Sequence, residues 1–264
     1  MKTILATRKG STLHWVGDGF RVHSLFSYSQ EASLFDPFLL LDYAPPHRFE
    51  PTDRQRGVGV HPHRGFETVT VVYSGELEHR DSTGGGGTIG PGEVQWMTAG
   101  AGILHEEYHS PAFARQGGEL EMVQLWVNLP AAQKGAAPGY QALTSIPEVC
   151  LEGGTVRVIA GDFAGTRGPA RTFTAINLWD VSLKPGGRLE LPLVAGHTAA
   201  LLVRSSQELL VLSRPEEGFV LTSDTGLQAL VMSGEPIAEP VFGRGPFVMS
   251  SPGELRRAFE EMML

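Results

Sequence analysis

Short apolar runs, each closed by glycine, proline or a polar turn, recur along the whole chain and predict strands rather than helices. Residues 13–16 and 20–23 flank the turn Gly17-Asp18-Gly19. Residues 36–42 form a compact apolar run bounded by acids and then by Pro45-Pro46, read as a buried strand, and polar residues 47–57 read as a loop. Residues 67–73 are the strongest β-branched run. Residues 77–81 return from it, and 82–87, with four consecutive glycines, read as a flexible loop. Residues 93–97 and 119–129 are further strands, the latter placing Leu120, Met122, Gln124 and Trp126 on one face. Residues 130–147, rich in Ala, Gly and Pro around Lys134, read as a linker, after which the strand pattern resumes as far as residue 233. One helix is predicted, at the end of the chain. Ser251, Pro252 and Glu254 supply the cap, the first-turn proline and the capping box, and Leu255, Ala258, Phe259, Met262 and Met263 make its apolar stripe. The pattern is that of an all-β protein of barrels or sandwiches.

Composition narrows the function. The 33 glycines and 18 prolines are spread between apolar runs, which indicates many turns rather than a disordered tail. With 21 basic and 29 acidic residues the net charge is −8, and no dense run of Lys and Arg occurs, so nucleic-acid binding through a basic face is disfavoured. Cys150 is the single cysteine, which excludes an internal disulfide and any Cys-x-x-Cys site. The N-terminus starts like a signal peptide but turns polar at Thr7-Arg8-Lys9, and no stretch is long enough to span a bilayer. A soluble, cytoplasmic chain without membrane contact is the expectation.

Candidate chemistry is concentrated between residues 60 and 124. In His61-Pro62-His63 and in His105-Glu106-Glu107, two metal-capable side chains stand two residues apart. Positions i and i+2 of a strand share a face, so two such strands side by side bring three imidazoles and a carboxylate together. A single His-x-His also serves as a pair of hydrogen-bonded imidazoles, but a second pair completes a donor set suited to divalent metals. Glu67 falls on the His61/His63 face if the strand is regular, and competes with Glu107 for the fourth place. Glu106 faces away, and His109 is read as structural. The three-nitrogen, one-oxygen set is compatible with Fe(II), Mn(II), Co(II), Ni(II) and Cu(II), and zinc can close a tetrahedral site with the same groups. The glycine run lacks the Lys-Ser/Thr of a phosphate loop, and no Gly-x-Ser-x-Gly elbow occurs. Trp96, Trp126 and Trp179 read as core.

At these residues the chain resembles the pirin family of double-cupin proteins. The matching pieces are residues 36–42, 57–68, 95–105, 124–129, 234–240 and 245–249. The resemblance implies two cupin (jelly-roll) barrels, a metal-binding one over residues 1–135 and a second without ligands over 136–264, consistent with the single His197 in the second half. It implies His61, His63, His105 and Glu107 as metal ligands, with Glu67 beside the site or in the pocket, and one divalent transition metal, Fe(II) first. It also implies quercetin 2,3-dioxygenase activity on a flavonol-like substrate and O2, opening the ring and releasing carbon monoxide, with Glu107 taking the flavonol proton. A metal- and redox-dependent regulator acting through a protein partner is the alternative. Two departures are expected to matter: the acidic Glu106-Glu107 pair, and an end at Leu264 without any C-terminal extension.

Overall fold

The computed structural model describes residues 1–262, so Met263 of the helical stripe lies outside the described residues. The chain is built almost wholly of antiparallel strands, and its contacts divide it into two compact units.

The unit that carries the candidate site comprises residues 11–33, 38–144 and 238–264. Its strands are β1 (His14–Val16), β2 (Phe20–Ser27), β3 (Phe38–Phe49), β4 (Gly57–His63), β5 (Phe66–Ser74), β6 (Leu77–Asp81), β7 (Gly86–Ile89), β8 (Val94–Thr98), β9 (Ile103–His109), β10 (Gly118–Asn128) and β11 (Gly139–Leu143). A seven-stranded sheet runs β11-β8-β5-β10-β3-β2-β1, and a four-stranded sheet runs β4-β9-β6-β7. The β-branched run predicted at 67–73 is β5, an interior strand of the larger sheet between β8 and β10, where both of its faces are covered. A core of Phe20, Val22, Ala44, Phe49, Val72, Leu77, Ile89, Leu120 and Met122 fills the space between strands of the two sheets.

The second unit comprises residues 1–10, 34–37 and 145–237. Its seven-stranded sheet is joined by a two-stranded ribbon of Gly187–Leu191 with Phe219–Ser223, around a core that includes the fully buried Trp179. The sequence therefore folds into two cupin barrels, as the resemblance implied.

Packing draws the units differently from the expected single cut at residue 135. Ile4–Lys9 pairs with Glu208–Leu212 in the second unit. Residues 238–264 belong with the candidate-site unit, where Arg64 N donates to Pro246 O at 3.2 Å and Val248 N to Arg64 O at 3.0 Å. The expected linker is also partly ordered as strand, because β11 pairs along β8. Lys134, at its centre, is buried and donates to Gly65 O, Asn128 Oδ1 and Val248 O at 2.8, 2.5 and 3.0 Å.

Other elements depart from the sequence reading for local reasons. β3 runs through Pro45-Pro46 to Phe49, where a loop was expected. The ladder with β10 shifts register between Ala44 and His47, so the prolines sit at a bulge where their missing N–H is not needed. The glycine run enters β7, which pairs with β6. Helical segments Tyr28–Phe35 and Pro111–Gln116 add to the expected one. The C-terminal helix, Pro252–Met262, closes its capping box as read: Ser251 Oγ accepts from Glu254 N at 3.2 Å and donates to Glu254 Oε2 at 3.0 Å. Leu255, Phe259 and Met262 pack with Phe247 and Met249.

Candidate metal centre

β4 and β9 lie side by side, with His105 opposite His61 and Ile103 opposite His63. Strand alternation then sets His105 and Glu107 inward, and both are buried, while Glu106 between them is only partly so. Ring centroids of His61, His63 and His105 stand 4.2 to 4.8 Å apart, and their candidate donor atoms lie within 4.8 Å of one another. A bulge between His105 and Glu107 shifts the register with β4.

The hydrogen bonds decide which imidazole nitrogens face the centre. His61 Nδ1 lies 2.8 Å from Gly59 O, and His63 Nδ1 lies 3.4 Å from Pro246 O. A carbonyl only accepts, so both Nδ1 atoms carry the proton and both Nε2 atoms keep a lone pair. His105 Nδ1 is engaged by His79 Nδ1 at 3.4 Å, while its Nε2 is buried and has no partner among the described residues. Metal-bound histidines generally show this arrangement, the far ring nitrogen being tied to an acceptor. Burial, with His61 adjacent, pushes His63 down to about 3; burial, with His63 and His61 nearby, holds His105 well below the ordinary range. Both rings are thus neutral at physiological pH, the form that ligates a metal.

Glu107 is anchored by one oxygen. Its Oε1 accepts from Gln95 Nε2 at 2.7 Å and lies 3.4 Å from Thr70 Oγ1. These contacts leave Oε2 as the oxygen open to an ion or a substrate proton. An orphaned buried imidazole nitrogen, two more imidazoles with free lone pairs and an anchored carboxylate fit a divalent transition metal, with no preference among Fe, Mn, Co, Ni, Cu and Zn.

Glu67 is not on the His61/His63 face. The strand breaks at Arg64-Gly65, where Gly65 takes φ +89°, a conformation favoured by glycine, and β5 begins afresh at Phe66. On β5, Thr70 turns inward to Glu107, so Glu67, an odd number of residues away, faces the opposite side of the sheet. There it pairs across the ladder with Thr98, whose hydroxyl donates to Glu67 Oε1 at 2.8 Å. Burial pushes its carboxyl up to about 7. His109 is tied to Gly19 O at 2.8 Å, which leaves it a structural part.

Sequence reading missed two members of the site. His79 is 1% exposed and forms a second cluster with His105 and Glu107. The signal was there: on β6, His79 and Asp81 stand two residues apart, as the other pairs do. Trp126, read as core, instead walls the site, stacked on Phe66 at 4.2 Å and edge-on to His63 at 5.1 Å. Trp96 and Trp179 are core.

A cavity of about 200 Å³ opens onto His61, His63 and Glu107. Phe20, Val22, Leu40, Val58, Met122 and Trp126 give it apolar walls, and Asp42 and Gln124 are its other polar side chains. Burial raises the Asp42 carboxyl, which accepts from Ser24 Oγ at 2.6 Å.

Two cupin barrels in one chain, with the histidine-carboxylate cluster in one of them, define a bicupin. Comparison with known proteins places it more narrowly. Residues 19–127 match the family model for pirin, and residues 178–263 match that for the pirin C-terminal cupin domain. A Pseudomonas aeruginosa protein named "Putative quercetin 2,3-dioxygenase" is 52% identical over 277 residues, covering 99% of this chain and 96% of its own. A crystal structure of quercetin 2,3-dioxygenase from Acinetobacter baumannii superposes with a TM-score of 0.95 at 47% identity, covering 99% and 96% of the two chains. The chain belongs to the pirin family. The Escherichia coli pirin YhhW, solved in complex with nickel(II), shares the fold at 19% identity and a TM-score of 0.67, covering 89% of this chain and all of its own. Among the described residues no helix is long and apolar enough to cross a membrane.

Proposed function

We propose that the chain is a metal-dependent dioxygenase that opens the ring of quercetin-like flavonols with O2. One observation carries the metal part of this reading: His61 and His63, with their Nδ1 atoms committed, and His105, with its orphaned Nε2, bring candidate donor atoms within 4.8 Å of one another, while Glu107 clusters with His105 and lines the same cavity as His61 and His63. Two similar proteins named for quercetin 2,3-dioxygenase support the choice of reaction.

His61, His63, His105 and Glu107 would hold the ion. When bound, the metal supplies a Lewis-acidic, redox-capable centre for a phenolic oxygen and O2. The protein's own work is positioning and proton handling. The flat walls formed by Trp126 and the aliphatic side chains of the cavity suit a planar aromatic ligand and exclude water. Asp42 and Gln124 offer hydrogen bonds to hydroxyl groups remote from the imidazoles. Glu107, fixed through Oε1, has Oε2 as its one open oxygen. That oxygen would hold the ion in the resting site and would have to give up that place to accept the proton of the flavonol 3-hydroxyl.

The test is oxygen consumption and carbon monoxide release from quercetin by protein loaded separately with Fe(II), Mn(II), Co(II), Ni(II) or Cu(II). Turnover with at least one metal, lost in Glu107→Gln, supports the proposal. Metal binding without turnover under air would overturn the enzymatic reading and favour the regulator.

A further inference from the structure

His105 Nδ1 lies 3.4 Å from the ring of His79, a side chain outside the ligand set that the family resemblance implies. His79 and Asp81 project from the same face of β6, and β6 pairs with β9, which carries His105 and Glu107. His79 Nε2 lies 3.1 Å from Asp81 Oδ2, and both side chains are essentially shut off from solvent. The other Asp81 oxygen, Oδ1, collects Thr83 N at 2.8 Å, Thr83 Oγ1 at 2.6 Å and Gly85 N at 3.1 Å. The apparently flexible glycine loop is therefore folded around a carboxylate.

These bonds fix the direction of each proton. Asp81 accepts, so His79 Nε2 carries the hydrogen and His79 Nδ1 keeps the lone pair. Two N–H groups converge on that lone pair: Gln95 Nε2 at 3.3 Å and His105 Nδ1 at 3.4 Å. Tyr140, stacked on His79 with ring centroids 4.8 Å apart and planes 14° apart, sets the plane of the ring. His105 is thereby confined to the tautomer with its hydrogen on Nδ1 and its lone pair on the orphaned Nε2.

We propose that Asp81 and His79 form a relay that holds His105 in its metal-binding tautomer, and that His79 is a positioning residue rather than a ligand. This rests on the metal reading of the site. Both ring nitrogens of His79 are already committed, one to Asp81 and one to Gln95 and His105, which separates it from the three histidines with an Nε2 to spare.

The relay makes a specific prediction for Asp81→Asn, a change of almost no volume. Three donors hold the position of Oδ1, so the amide oxygen must stay there and the NH2 group takes the place of Oδ2. That NH2 donates to His79 Nε2, which drives the His79 hydrogen onto Nδ1, facing the His105 N–H. His105 must then turn its ring or move its own hydrogen to Nε2, and in either case loses its donor. An Asp→Asn change beside a catalytic histidine has the same tautomer-inverting effect in the serine protease triad.

The test is binding of Co(II) alone to the full-length protein, by chelator competition, with the visible spectrum of the bound ion recorded alongside. Asp81→Asn and His79→Leu are expected to weaken binding by about 10–100-fold with unchanged circular dichroism. His79→Gln is expected to bind close to wild type and with its spectrum, because glutamine keeps one donor for Asp81 and one acceptor for His105. Wild-type affinity in Asp81→Asn would overturn the relay. So would a His79→Gln variant that binds as poorly as His105→Gln, since His79 would then itself be a ligand. No Co(II) binding by wild type would overturn the metal reading, and the relay with it.

Discussion

Thr70 and Gln95 face each other across the ladder between β5 and β8, and both side chains reach the same atom, Glu107 Oε1. The row continues through the larger sheet: Thr70 is opposite Gln124, Gln124 opposite Asp42, and Asp42 opposite Ser24. A stripe of polar side chains thus crosses five strands of an otherwise apolar sheet and ends at the candidate metal centre. Every member is an inward-facing position where sheet physics alone would put an aliphatic residue.

Gln95→Leu tests the anchoring of Glu107. It removes the 2.7 Å donor from a buried carboxylate, so apo-protein stability in urea should fall by about 1–3 kcal/mol. Metal affinity should fall too, because the carboxylate is no longer aimed. Unchanged stability and affinity would show that Glu107 is held otherwise.

Glu67→Gln separates the two carboxylates. The Glu67 carboxyl is raised from 4.5 to about 7 in the folded chain, so between those values the folded state holds a proton that the unfolded state has lost. Its contribution is complete below about pH 4.5 and disappears as pH rises to about 7, a difference of about 3 kcal/mol. His63, pushed down to about 3, acts in the opposite sense, costing stability as pH falls from 6.5. The difference between wild type and Glu67→Gln in apo-protein stability, measured from pH 4 to 8, isolates the Glu67 part. The variant should gain on wild type as pH rises and should keep its metal. A parallel pair of curves would contradict this.

Trp126→Ala tests the wall of the cavity. Metal content should stay at the wild-type level, since Trp126 touches His63 only edge-on. Flavonol binding, followed by fluorescence or calorimetry, should weaken about tenfold, the equivalent of about 1.4 kcal/mol for one lost aromatic contact. Undiminished flavonol affinity would place the ligand elsewhere.

Much of this was legible in the sequence where a local rule governs. Alternation along a strand put His61 with His63 and His105 with Glu107, and the capping box at Ser251 closed as read. The same rule applied to Leu77–Asp81 would have found His79 and Asp81, but a lone histidine between charged neighbours drew no notice. Glu67 was misplaced because Gly65, one residue before β5, breaks the strand and resets which face is inward. The Pro246 carbonyl that fixes His63 was out of reach of any local rule, since it belongs to a segment that returns to the site unit from far along the chain. The glycine run looked mobile because composition cannot show that Asp81 gathers its backbone donors.

The central claim is that a single metal is held by His61, His63, His105 and Glu107, and the most direct measurement is metal content per chain by elemental analysis. Wild type and His197→Ala should each carry close to one ion after loading and gel filtration, and His105→Ala should carry essentially none while remaining folded. Metal retained by His105→Ala, or close to two ions per wild-type chain with one lost in His197→Ala, would contradict the account.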